Sequence, residues 1–181
     1  SLDQRIVLIF DFRMEVIQSF ETERLILKPV GKEDAAFILE LFNTPQWIAN
    51  IGDRNVHNIE QAEAYIDSKM RPQIDLLGYG TYIMIRKSDG IRIGTCGLYD
   101  REGLEGIDIG YALLPQHEKQ GFAIEGATKM LELATHYFHL PIIVAITTPE
   151  NIPSQKILEK LGLKFVRTIQ LPNDVKELNL Y

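Results

Sequence analysis

The sequence predicts a single α+β domain: a mixed, mostly antiparallel sheet of six to seven strands flanked by about four helices. Three alternating apolar runs, 81–87, 91–99 and 107–114, follow one another with short connections, which is typical of antiparallel strands. Helical periodicity appears both before and after these runs. The 181 residues contain no internal repeat or low-complexity linker, so one core of substantial size is expected.

The first part of this domain is predicted as one strand followed by two helices. Alternation favours a strand over 24–30, and apolar residues at helical spacing favour a helix over 32–42. A second helix is predicted over 59–70, because Asn58 and Gln61 resemble a capping box before its apolar stripe.

The later part contains two more predicted helices and three strands. The longer helix spans 121–138, and its Glu125 and Lys129 are expected to pair across one turn. The run 142–146 is apolar at every position, which indicates a central strand covered on both faces. The remaining elements are a helix over 151–161 ended by Gly162 and strands over 163–171 and 175–181.

Residues 1–20 fit this pattern poorly. We expect them to be an N-terminal arm, either a tag remnant or an extension that adds a strand, with the domain itself spanning 21–181. No apolar run approaches the ~18 residues that a membrane helix needs.

Composition argues against several kinds of partner. A net charge of −6 and a pI near 5.3 provide no basic field for nucleic acid or an anionic membrane. The single cysteine, Cys96, excludes an internal disulfide and indicates a reducing, cytoplasmic compartment. Because Cys96 lies in an apolar strand pattern, we expect it to fill the core. The four histidines show no metal-ligand spacing.

A polar connection between the strand ending near Leu114 and the helix beginning at Gly121 predicts an anion site. The first N–H groups of a helix lack intrahelical partners and lie at the positive end of its dipole. A phosphate-bearing cofactor would suit such a cradle. The residues expected to bind it are Leu113, Leu114, Glu118, Lys119, Gln120, Gly121, Phe122 and Ala123.

The segment 151–165 resembles the last helix and following strand of the GNAT superfamily of acetyl-CoA-dependent N-acetyltransferases. Its matching pattern is Asn151, Ser154 and then Glu159-Lys160-Leu161-Gly162, with Phe165 after it. The connection from Pro115 to Ala123 resembles the diphosphate-binding loop of that family, and Asp108 to Tyr111 the strand before it. Thr22 to Leu27 resembles the opening strand of the Rim-type branch, which acetylates ribosomal-protein N-termini.

The resemblance implies the family fold, acetyl-CoA as cosubstrate, no metal, and a primary amine as acceptor. It also implies that Asn151 and Ser154 help bind the cosubstrate. A protein N-terminus or a small amine would fit, and a homodimer is suggested at the family level only. In the loop, the family usually has Arg or Gln three residues before Gly121, and often glycine two before it. Here Glu118 and Lys119 stand there, so we expect Glu118 to face solvent and contribute only its N–H, with Lys119 supplying positive charge.

Direct attack on the thioester requires a proton acceptor, an oxyanion donor and a proton donor. Asp108 is the candidate acceptor; its alternative is a solvated carboxylate at a sheet edge. The resemblance implies the Leu113 backbone N–H as oxyanion donor, where the strand bulges and parts from its neighbour. The tyrosine of many relatives is replaced by Leu158, so Ser154 is the candidate proton donor.

Three aromatic residues are candidates for binding the acceptor: Trp47, Tyr65 and Tyr111. Trp47 could equally serve the core. Glu102 and Glu105 are weaker candidates for the proton acceptor. The sequence therefore predicts an N-acetyltransferase, and the absent tyrosine leaves open the alternative of a protein that binds CoA without catalysis.

Overall fold

The computed structural model describes residues 17–181 and has a six-stranded main sheet in the order β1-β2-β3-β4-β5-β6. Neighbouring strands are antiparallel except β5 and β6, which are parallel. This mixed sheet confirms the predicted fold class. The strands are β1 (Phe20–Glu21), β2 (Leu25–Pro29), β3 (Thr81–Arg86), β4 (Arg92–Tyr99), β5 (Ile107–Leu113) and β6 (Ile143–Val144).

A second sheet has three short strands in the order β7-β9-β8. The two C-terminal strands are shorter than the predicted runs 163–171 and 175–181. These strands are β7 (Ile146–Thr147), β8 (Arg167–Ile169) and β9 (Leu178–Leu180).

Within the described residues, four helices precede β3, one follows β5 and one follows β7 in the chain. They are α1 (Ala35–Phe42), α2 (Pro45–Asn50), α3 (Ile59–Tyr65), α4 (Arg71–Leu77), α5 (Phe122–His136) and α6 (Ile152–Lys160). The predicted end at residue 70 is wrong, because a π-helical turn joins α3 to α4. Pro72 lies in the first turn of α4, where its missing N–H costs no intrahelical bond.

The run 142–146 does not form one central strand. Ile143 and Val144 pair with β5, whereas Ala145 already exchanges backbone hydrogen bonds with Tyr181 next to β9. The three isoleucine and valine side chains of β6 and β7 are half-buried rather than covered on both faces. The run was apolar enough for a central strand, but it is divided between two sheets, and this division opens the main sheet beside β5.

Two apolar clusters cover the two faces of the main sheet. One contains α5 and α6 residues such as Phe122 and Leu158, and the other contains α1 and α3 residues such as Ile38 and Ile66. Cys96 is fully buried in the first cluster, as expected. Alternation along β5 sends Ile109 to the first cluster and leaves Asp108 on the opposite face.

Phe20 belongs to the folded domain, although the predicted boundary placed it in the arm. It pairs with Leu27, and its ring lies 5.2 Å from that of Tyr137 and 5.9 Å from that of Tyr82. Residues 1–16 of the predicted arm lie outside the described residues. Between residues 17 and 181, no helix has the length and apolarity to cross a membrane.

Candidate active site

The site is organised by a gap between two strands of the main sheet. β5 and β6 pair at Ile107–Ile143 and Asp108–Val144, after which the chain beyond β6 pairs with β9 instead. The rest of β5 therefore has a partner on one side only. Its pairing with β4 continues without a register shift, so the expected bulge at Leu113 is absent, while the expected parting from a neighbour is present.

Two backbone N–H groups of β5, those of Tyr111 and Leu113, face this gap. The Ile107 N–H donates toward the β6 side (3.0 Å), and the Leu114 N–H donates toward β4 (2.9 Å). Because N–H groups alternate in direction along a strand, those of Tyr111 and Leu113 point to the β6 side, where the pairing has ended. These donors have no partner in the part of the chain that the structure describes, so the gap presents them to anything lying along β5.

The loop after β5 supplies further donors. Residues Pro115–His117 form a 3₁₀ turn, and the Glu118 N–H donates to the Pro115 carbonyl (3.2 Å). The expectation that Glu118 offers its N–H to a ligand is therefore wrong. Within residues 17–181, the N–H groups of 119–124 have no hydrogen-bond acceptor, as expected for a helix start.

The backbone of this loop holds Lys119 in a conformation that usually favours glycine. Lys119 has φ +60° and Gly121 has φ +82°, so both occupy the left-handed region. When a left-handed residue alternates with a right-handed or extended residue, successive backbone N–H groups point toward one concave surface. Such a surface favours the binding of an anion. Lys119 adopts the backbone that a glycine would take there without strain.

Arg24 holds this loop from the far side. Its Nε donates to Glu125 Oε1 (2.7 Å), and its Nη1 donates to the Gln120 carbonyl (3.0 Å). The predicted Glu125–Lys129 pair is wrong, because Glu125 is taken by Arg24 while Lys129 pairs with Glu132 (3.3 Å). Sequence reasoning assigned Arg24 no role; its only signal was its place in the Rim-like opening strand.

Asn151 and Ser154 lie across the gap from β5. The Asn151 side chain caps α6 by accepting the Ser154 N–H (3.3 Å). The Tyr111 hydroxyl lies 2.9 Å from Ser154 Oγ, and burial raises the pKa of Tyr111 to about 12. Leu158, in the position of the family tyrosine, is only 1% exposed and packs in the core. Ser154, the candidate proton donor, therefore forms a hydroxyl pair with Tyr111, and the position of the family tyrosine contributes no hydroxyl.

Asp108 is buried against Arg101, and the solvated-edge alternative is wrong. The carboxyl is 2% exposed, and Arg101 Nε donates to its Oδ2 (2.6 Å). Oδ1 has no hydrogen-bond partner among the described residues. Burial raises the pKa of Asp108 to about 6, although the Arg101 guanidinium opposes this shift. Asp108 is thus ionised above pH 6 but easily protonated.

Tyr99 and Arg101 are site residues that sequence reasoning missed. The Tyr99 ring lies flat on the sheet over Gly110, where an added Cβ would stand 3.0 Å from the ring. The Arg101 guanidinium lies 5.0 Å from the ring centre, between this face and Asp108. The small size of Gly110 was the only signal, because the stack is assembled from β4, β5 and their connection.

Aromatic residues from α1, α2 and α3 lie opposite Tyr99 and Arg101. Trp47 stacks on Phe42 with 4.2 Å between ring centres, and Tyr65 meets Phe42 edge-on at 5.1 Å. Trp47 therefore packs on the core, as its alternative role predicted, and it also borders the cavity, where its binding of an acceptor stays a prediction. Glu102 and Glu105 are exposed and do not line the cavity.

One cavity of about 840 Å³ joins these features. We call its two ends the loop end (residues 118–123) and the aromatic end (Trp47 and Tyr65). Asp108 lies toward the aromatic end. Of the predicted cofactor residues, Leu114 and Gln120 lie outside the lining, since Leu114 is buried and its N–H is used by β4. Within residues 17–181, no three His, Cys, Asp or Glu side chains could hold a metal ion.

Comparison with known proteins places this geometry in a family. The sequence profile of the GNAT acetyltransferase domain matches residues 24–164. The chain is 29% identical over 145 residues to the uncharacterized N-acetyltransferase YoaA of Bacillus subtilis, covering 80% of this chain and 81% of that protein. It is 30% identical over 152 residues to the uncharacterized N-acetyltransferase p20 of Bacillus licheniformis, covering 82% and 83%.

Solved structures show the same fold at lower identity. A ribosomal-protein alanine acetyltransferase from Vibrio fischeri superposes with a TM-score of 0.75 at 18% identity, covering 90% of this chain and 94% of that one. The ribosomal α-N-protein acetyltransferase RimL, solved in complex with coenzyme A, superposes with a TM-score of 0.76 at 14% identity, covering 91% and 96%. Likenesses of this kind concern the fold.

Proposed function

The chain belongs to the GNAT family of acetyltransferases, and from that premise we propose that it transfers the acetyl group of acetyl-CoA to a primary amine. The observation that carries the proposal is one line of unpaired backbone donors. It runs from Tyr111 and Leu113 in the gap to the N–H groups of 119–124 at the loop end. This line suits a ligand with amides in its arm and a diphosphate at its end.

The loop end fits a diphosphate by conformation and by charge. Its donors belong to a concave backbone at the start of α5, and Lys119 adds positive charge there. Asn151 and Ser154 border the same cavity from α6. We assign these residues to cosubstrate binding, with the Glu118 side chain contributing nothing to it.

In the proposed reaction, an amine at the aromatic end attacks the thioester directly in a ternary complex. The Leu113 N–H donates to the developing oxyanion. Asp108 takes up the ammonium proton through a water in the cleft, because its carboxyl is almost fully buried. Ser154, whose hydroxyl lies 2.9 Å from that of Tyr111, passes its proton to the departing thiolate and recovers one from the nitrogen of the tetrahedral adduct.

The acceptor is a protein N-terminus or a small amine. Trp47 and Tyr65 would pack against its apolar part, and their place at the cavity rim supports this assignment. The Rim-like opening strand, Thr22 to Leu27, favours a peptide N-terminus over a small amine.

A thiol-release assay tests this function. The purified protein with acetyl-CoA is offered peptides with free N-termini, the same peptides with blocked N-termini, polyamines and aminoglycosides. We expect CoA release with at least one free amine and none with its blocked counterpart. Calorimetry that detects no CoA binding at millimolar concentration would exclude the proposal, whereas binding without release on any amine would favour the catalytically silent alternative.

A further inference from the structure

Arg24 connects the start of β2 with the loop end of the cavity. Besides its bonds to Glu125 and the Gln120 carbonyl, its guanidinium lies 4.1 Å from the centre of the Phe122 ring. We infer that Arg24 is a positioning residue for diphosphate binding, one that fixes the direction of a loop N–H without touching the ligand. This inference rests on the proposed function, since it assumes that the loop end takes the diphosphate.

The geometry of a single peptide unit carries the argument. In a trans peptide the carbonyl and the N–H of the next residue point in opposite directions. The Gln120 carbonyl is turned toward Arg24, so the Gly121 N–H is turned away from Arg24. Gly121 lines the cavity whereas Gln120 does not. The Arg24–Gln120 bond therefore holds a donor in the direction of the ligand and keeps a carbonyl oxygen, which would repel a diphosphate, out of it.

Glu125 holds Arg24 in the position from which it bonds to the Gln120 carbonyl. It lies in the first turn of α5 and accepts the Arg24 Nε, the Arg24 backbone N–H (3.0 Å) and the Thr22 hydroxyl. The backbone and the guanidinium of Arg24 are thereby both tied to the helix whose N-terminus would bind the anion. Burial opposes ionisation of Glu125, yet the hydrogen bonds from Thr22 and Arg24 hold its pKa below the ordinary value, so the carboxylate is charged at neutral pH.

Arginine is required for this arrangement by its shape. One planar guanidinium donates to Glu125 from Nε and to Gln120 from Nη1 while its face covers Phe122. Lysine has the same charge but neither the fork nor the flat face. Exchange of Arg24 for lysine therefore separates positioning from mere positive charge near the helix N-terminus.

Calorimetric titrations of the full chain with CoA and with pantetheine test the inference, because pantetheine lacks the diphosphate. For Arg24→Lys we expect about a tenfold loss of CoA affinity, the size of one charge-assisted hydrogen bond, and unchanged pantetheine affinity. The control Lys87→Gln removes an ion pair to Glu21 (3.1 Å) and a bond to the Thr22 carbonyl on the same strand edge. It should change neither affinity.

A second readout follows the loop itself. With CoA bound, amide hydrogen exchange at Gly121 should be slowed less in Arg24→Lys than in the parent or in Lys87→Gln, because the N–H is no longer held toward the ligand. CoA affinity equal to the parent in Arg24→Lys would overturn the inference alone. So would an equal loss for CoA and pantetheine, since that would indicate general damage to the fold. Absence of CoA binding by the parent would instead overturn the proposed function, and the inference with it.

Discussion

At the loop end of the cavity, the groups directed at a ligand are backbone N–H groups set by a few local dihedral angles, such as those of Lys119 and Gly121. At the aromatic end, they are side chains delivered by separate elements: Asp108 from β5, Arg101 from the connection before it, and Trp47 from α2. The first construction depends on chain conformation and tolerates changes of side chain. The second depends on side-chain identity and should respond sharply to substitution.

Exchange of the buried carboxylate should give the largest effect. Asp108→Asn should lower kcat by about 10²–10⁴-fold, the usual share of a proton acceptor, with CoA affinity unchanged. Because the pKa of Asp108 is raised to about 6, activity of the parent should rise as pH increases through 6 and then level off. A pH profile of kcat/KM for both proteins checks this, and the rising limb should be missing in the variant.

The control for this experiment is Glu102→Gln, which removes a carboxylate from the neighbouring connection outside the cavity. It should leave the profile unchanged. If Asp108→Asn retains the limb near pH 6 and full kcat, the contrast between the two ends loses its main support and Asp108 is a structural partner of Arg101 only.

Removal of the Ser154 hydroxyl, beside the gap, should have an intermediate effect on kcat. Ser154→Ala should lower kcat about tenfold or more while the KM for acetyl-CoA changes little, because the hydroxyl acts on the leaving thiolate. Ser68→Ala provides the control, since the Ser68 hydroxyl bonds only to the Ala64 carbonyl of its own exposed helix. Steady-state kinetics with acetyl-CoA varied would separate the two parameters. A change confined to KM would limit Ser154 to cosubstrate binding and remove its role toward the thiolate.

Substitution in the loop should act on stability and cosubstrate affinity together. Lys119→Gly removes the strain of φ +60°, about 1–2 kcal/mol for a side-chain-bearing residue. The flexibility of glycine offsets about 0.5–1 kcal/mol of this gain. We expect the free energy of unfolding, measured with denaturant, to rise by about 0.5–1 kcal/mol.

Lys119→Ala is the matched variant, because it removes the charge but keeps the strain. Both variants should bind CoA more weakly than the parent, Lys119→Ala more so, and neither should alter the KM for the acceptor. Equal stability of the two variants would show that the left-handed conformation is not what distinguishes glycine from lysine at this position.

The smallest effect is expected at the aromatic rim. Trp47→Phe should raise the KM for the acceptor about three- to tenfold, the size of one aromatic contact, with the KM for acetyl-CoA unchanged. Trp47 is the only tryptophan of the chain, so acceptor binding to the parent should also alter its fluorescence. An acceptor KM equal to the parent would limit Trp47 to packing on Phe42.

Sequence reasoning was most reliable where a feature depends on neighbours along the chain. The caps at Asn151 and Gly162 and the apolar stripe of α5 follow from local rules, and the structure has them. The pairing of Glu125 was wrong for the same reason, because the local rule favours Lys129 and does not include Arg24, a hundred residues earlier. The continuous strand predicted over 142–146 was wrong because apolar character does not say which sheet a segment joins.

By itself, the sequence determined the order and type of most elements, the loop that precedes α5, and the acetyltransferase family that the profile match then showed. These follow from periodicity, caps and motifs, all of which act over a few residues. Only the tertiary structure decided the gap beside β5, the Arg24 brace and the burial of Asp108 against Arg101. Each of these needs segments distant in the chain to meet, and the burial that raises the pKa of Asp108 exists only once they have met.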